Sequence, residues 1–76
     1  MKGIKGMASE KDYKESAERI INIRKSTGLN QKSFCGHFNI PFRTWQDWEH
    51  GVRRPPEYIP QMLEKLVKYE GLELSE

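Results

Sequence analysis

The chain reads as an all-α domain, a compact bundle of four short helices. Two observations predict this class. Apolar residues recur at helical spacing in each long segment, and no run alternates with period two as a half-buried strand would. Glycine, asparagine and proline fall between the periodic segments, where helices must stop. A length of 76 residues allows one small domain with a modest core. Residues 1–8 read as a flexible arm, 9–70 as the domain, and 71–76 as an acidic tail.

The first helix opens at Ser9-Glu10-Lys11-Asp12, a hydroxyl cap with an acid three residues on. Tyr13, Ala17, Ile20, Ile21 and the stem of Arg24 then share one face. Gly28 ends it. Asn30 caps a second helix of about 31–37, with Leu29 packing across its entry and Phe34, Cys35 and Phe38 turned inward. Gly36 inside that helix costs roughly 1 kcal/mol against alanine, so a close approach of another helix is expected there.

Asn39 suits a left-handed turn, and Pro41 restarts the chain for a third helix over 42–50. At about 100° per residue, Trp45, Trp48 and Glu49 share a face, whereas Arg43, Asp47 and His50 lie opposite. Both tryptophans read as core pegs. Gly51 stops this helix, and Arg53-Arg54-Pro55-Pro56 forms a basic loop. A fourth helix spans about Glu57 to Glu70, with Ile59, Met62, Leu63, Leu66 and Val67 on one face and Pro60 in its first turn.

Charge is unevenly spread. Residues 19–56 carry seven basic side chains against two acids, and 57–76 carry five glutamates against two lysines. A basic middle with an acidic end suits a polyanion partner. The single cysteine excludes an internal disulfide, and His37 and His50 stand apart from any zinc-type spacing. No metal or other cofactor is expected. No long apolar run suggests a membrane span or a leader, so a reducing cytoplasm is the expected compartment. No glycine loop or nucleophile–base pair suggests an enzyme. Cys35 reads as a small core residue.

Helices two and three, joined by a short turn, have the layout of a helix-turn-helix. The ordered set Gly28, Leu29, Gln31, Cys35, Ile40, Trp48, Glu49, Gly51 and Pro55 resembles the helix-turn-helix domain of lambda-repressor/Cro-like (XRE-family) regulators over about residues 19–69. Asn30 stands where that family usually has Ser or Thr and still caps. Pro41 stands where a hydroxyl cap is usual.

The resemblance implies a sequence-specific regulator, a repressor of phage or bacterial type, that binds double-stranded DNA. Its third helix would enter the major groove of a palindromic operator, with the protein acting as a homodimer. Phe42, Arg43, Thr44, Gln46 and Asp47 would then face the bases. Arg43 suits guanine, whose O6 and N7 match a guanidinium fork. Asp47 either accepts from a cytosine N4 or holds Arg43 as an i, i+4 ion pair. Gln31, Lys32, Arg53 and Arg54 would meet phosphates, which orient a protein without reading sequence. Arg24 and Glu49, both polar on apolar faces, read as a structural ion pair. An alternative is a protein-interaction module on the same fold, such as a toxin-binding antitoxin. Phe42, Tyr58, Tyr69, Leu72 and Leu74 would supply its apolar patch.

Overall fold

The computed structural model describes residues 10–72. Four helices follow in order: α1 (Glu10–Lys25), α2 (Gln31–Phe38), α3 (Phe42–Glu49) and α4 (Tyr58–Tyr69). No strand occurs among the described residues. The expected Ser9 cap, the 1–8 arm and residues 73–76 of the tail, Leu74 included, lie outside them.

α1 packs on both α3 and α4, and α2 packs on α3. The buried stripe of α1 runs through Ala17, Ile20 and Ile23, and Thr27 is buried in the turn that follows. It is rotated toward Ile23 relative to the expected face, and Ile21 is only half-buried. A stripe of this width spans positions three and four residues apart, so spacing alone leaves its centre loose.

Asn30 caps α2 as expected, its Oδ1 accepting the Ser33 N–H at 2.8 Å. Asn39 takes the left-handed conformation at φ 57°, and the Ile40 N–H closes back on the Cys35 carbonyl at 3.0 Å. Three residues after α2 ends, Pro41 delivers the chain into α3 without any side-chain cap. The expected reason for Gly36 does not hold. It is exposed, and a Cβ built there meets nothing within 4 Å.

Trp45 has no exposed surface and lies at the centre of the core with Ile20, Phe34, Leu63 and Val67. Its ring centroid is 4.8 Å from that of Phe34 and 5.8 Å from that of Trp48. Truncating so large a buried side chain typically costs about 3–5 kcal/mol. Trp48 is half-buried and packs at the edge of this cluster, so only one tryptophan is a full core peg.

After α3 the chain turns at Gly51, φ 75°, where the Val52 N–H bonds the Asp47 carbonyl at 2.9 Å. An L side chain at this φ is strained, which favours glycine. The basic loop then crosses to α4, with Pro55 buried and both arginines exposed. At the far end Leu72 packs back onto the core, its N–H bonded to the Val67 carbonyl at 2.9 Å. It therefore does not join an exposed apolar patch.

Candidate functional site

The orientation of α3 is set from beneath by Glu49, which is 8% exposed. Its carboxylate receives bonds from three helices' worth of donors. Arg24 of α1 donates through Nε at 2.6 Å and Nη2 at 3.3 Å. Gln31, the first residue of α2, donates its Nε2 at 2.8 Å. The Trp45 indole N–H donates from one turn earlier in α3. Arg24 also caps the Leu29 carbonyl through Nη1 at 3.0 Å. Burial by itself would push the Glu49 carboxyl up. The hydrogen bonds from Arg24, Gln31 and Trp45, with the Arg24 charge, outweigh it and hold the carboxyl below its usual range. A carboxylate has about four lone-pair sites, and these four bonds use that capacity. The Arg24–Glu49 pair expected from the two apolar faces is thus present, at 2.6 Å. The Gln31 and Trp45 contributions were not expected.

With one side of α3 pinned, the opposite side faces outward. The Arg43 side chain is 86% exposed. Arg43, Thr44, Asp47, Arg53 and Arg54 line one shallow depression, closed on another side by Tyr13 of α1 and Trp48. Five expected site residues are therefore together, from α3 and the basic loop. Three arginines face one aspartate there, so the depression is electropositive. Asp47 sits between two of them, Oδ1 lying 3.7 Å from Arg43 Nε and Oδ2 3.6 Å from Arg53 Nε.

The other expected residues fall outside this depression. Phe42 is exposed at the start of α3, and Gln46 is half-buried. Lys32 is exposed on the first turn of α2. Gln31 is half-buried, and its amide is bound to Glu49. An amide NH2 carries two hydrogens, so one donor is engaged and a second is left. Besides Trp48 and Val52, which lie on or beside α3, the depression has a member from a distant element that sequence reasoning missed, Tyr13. It lies thirty residues before Arg43, and no local spacing links the two.

The site suits recognition of anions and hydrogen-bond acceptors by guanidinium groups. Among the described residues, no group of three or more His, Cys, Asp or Glu could hold a metal ion. Cys35 is buried, and that burial, with the charge of Glu49, pushes its thiol above the ordinary range, away from the reactive thiolate. No described helix is long and apolar enough to cross a membrane. No family model, curated protein or solved structure matches the chain.

Proposed function

We propose that this protein is a sequence-specific double-stranded DNA-binding regulator of the lambda-repressor/Cro-like type. It acts as a cytoplasmic repressor and occupies a palindromic operator as a homodimer. The observation that carries this reading is the two-sided character of α3. One side is locked to α1 and α2 through Trp45 and Glu49, and the other presents Arg43 beside a basic loop. A rigid helix with an exposed cationic face fits the major groove, which admits one α-helix. α2, the turn at Asn39–Pro41 and α3 make up the helix-turn-helix in this reading. Arg43 reads a guanine, with Phe42, Thr44 and Gln46 along the base edges. Gln31, Lys32, Arg53 and Arg54 grip phosphates. The surface of one such domain is small for tight specific binding, which favours two copies on two half-sites.

The test is selection of bound duplexes from a random pool, with sizing of the protein free and on DNA. One enriched motif with two symmetric halves is expected, and affinity should fall steeply with salt. Arg43→Ala should lose about 1–3 kcal/mol of discrimination at one position. Arg53→Ala should weaken all sequences alike. A pool that yields no enriched duplex refutes the reading.

A second reading, a protein-interaction module such as an antitoxin that holds a toxin, draws on α4. Tyr58, Met62 and Tyr69 are exposed there at i, i+4 and i+11, along one helical face. Binding through that face would be insensitive to salt and to Arg43→Ala.

A further inference from the structure

Asp47 lies between the two arginines to which the DNA reading gives different tasks. Each carboxylate oxygen serves one of them, Oδ1 toward Arg43 Nε at 3.7 Å and Oδ2 toward Arg53 Nε at 3.6 Å. The carboxylate is the sheltered member, 23% exposed against 86% for Arg43 and 73% for Arg53. The same residue also fixes the backbone beneath Arg53. Its carbonyl accepts the N–H groups of Val52 at 2.9 Å and Arg53 at 3.2 Å.

We propose that Asp47 is a positioning residue that holds Arg43 and Arg53 as one paired unit, so that the base-reading and the phosphate-gripping guanidinium are presented together. This inference rests on the DNA reading above. It also chooses between the two roles the sequence left open for Asp47. A direct contact from Asp47 to a cytosine would draw a carboxylate that is only partly open to solvent away from the two arginines it faces.

Three physical points support the pairing. Both arginines face the carboxylate through Nε, which leaves the Nη1 and Nη2 ends for a ligand. Those ends form the fork that matches guanine O6 and N7 or a phosphate. Two long, exposed side chains lose much rotamer freedom on binding, and a shared anchor removes part of that loss beforehand. Two guanidiniums brought side by side repel, and a carboxylate between them offsets the repulsion. At 3.6–3.7 Å these are ion pairs without good hydrogen-bond geometry, so their contribution to fold stability is small. The role is one of presentation.

Asp47→Asn tests this, because it keeps the shape and the backbone acceptor and removes the charge. The expected result is a split. Preference at the Arg43 position should fall about tenfold. Affinity for random duplex should stay equal or rise, since one repelling negative charge is gone. In an Arg43→Ala background, Asp47→Asn should change that preference no further. A separate arm needs no DNA. In the free protein, 15N relaxation of the arginine Nε groups should show Arg43 and Arg53 both more mobile in Asp47→Asn than in wild type. Unchanged Nε mobility at either arginine overturns the proposal. So does an Asp47→Asn effect at a cytosine pair that persists without Arg43, which would make Asp47 a direct reader. An equal fall in specific and random affinity also overturns it. If wild type enriches no duplex, the DNA reading fails, and the Nε measurement alone then decides whether Asp47 holds the pair.

Discussion

Replacing Glu49 by glutamine removes a charge and one acceptor oxygen while keeping the side chain's size. Four donor bonds now converge on that carboxylate, two from Arg24 and one each from Gln31 and Trp45. An amide offers one acceptor oxygen and brings two hydrogens of its own. Its best orientation keeps oxygen toward Arg24 Nε and the Trp45 indole, and the Gln31 amide flips to accept from the new NH2. Arg24 then stays 16% exposed with no counter-charge. Breaking a buried pair in this way typically costs ~3–5 kcal/mol. Because Arg24 keeps the Leu29 carbonyl and some water contact, the lower end, about 3 kcal/mol, is expected. In a domain this small that lowers the melting temperature by roughly 12–24 °C.

The pH dependence supplies a sign. Glu49 is held below its ordinary range in the folded state, so its stabilising contribution is complete above the unfolded value of about 4.3. That contribution is lost as pH falls from there through the lower folded value. The Glu49→Gln protein has no such group, so the stability gap between the two proteins should narrow on acidification. Glu64 is also held low, through its bond from Arg19, but it is present in both proteins and cancels. Thermal and urea unfolding of both proteins at neutral and acid pH measures the gap. A Glu49→Gln protein within about 0.5 kcal/mol of wild type, or a gap that does not change with pH, would refute the assignment of Glu49 as the charged centre of the fold.

Other changes give outcomes of different size and sign. Gly36→Ala should stabilise the protein by about 0.5–1 kcal/mol, because the site is an exposed helix interior with open space around it. A loss of stability in urea unfolding would contradict that. Gly51→Ala should cost about 1–2 kcal/mol from its φ of 75° alone, since the new Cβ would meet the Tyr13 carbonyl at an ordinary 3.9 Å. A much larger loss would mean that α1 is displaced. Cys35→Ala should leave a small cavity and cost about 1–2 kcal/mol, with no change in behaviour toward oxidants. Thiol labelling of the native protein should be slow, and rapid labelling would contradict its burial.

Much of the fold was legible because the signals were local. Helical spacing, the Asn30 cap, the Asn39 and Gly51 stops and the proline restart all act within one turn of chain, and the helices fall where these signals place them. The Arg24–Glu49 pair was legible for a related reason, as each side chain is a charge on an otherwise apolar face. What was not legible depends on how the faces meet. Gln31 reads in sequence only as a phosphate contact at the start of α2, and it is the laying of α2 beside the end of α3 that brings its amide to Glu49. Tyr13 reaches the arginine depression only through the packing of α1 on α3. The two tryptophans look alike in sequence, yet a rotation of 300° over three residues puts Trp45 at the centre and Trp48 at the rim. Gly36 misled for the opposite reason. Its residue type implied a neighbour, and the fold puts none there.

The convergence on Glu49 limits how the molecule can be divided. The segment from Gln31 to Glu49 is continuous and short, and looks suited to grafting onto another scaffold. Its central carboxylate, however, takes its charge partner from α1, seven positions before the segment begins. Moved alone, the segment would carry a sheltered anion with no cation to answer it, and α2 and α3 would lose their fixed angle. A host would have to supply an arginine at the equivalent point. The Gln31–Glu49 segment is in this sense not modular, although it is one contiguous stretch of chain.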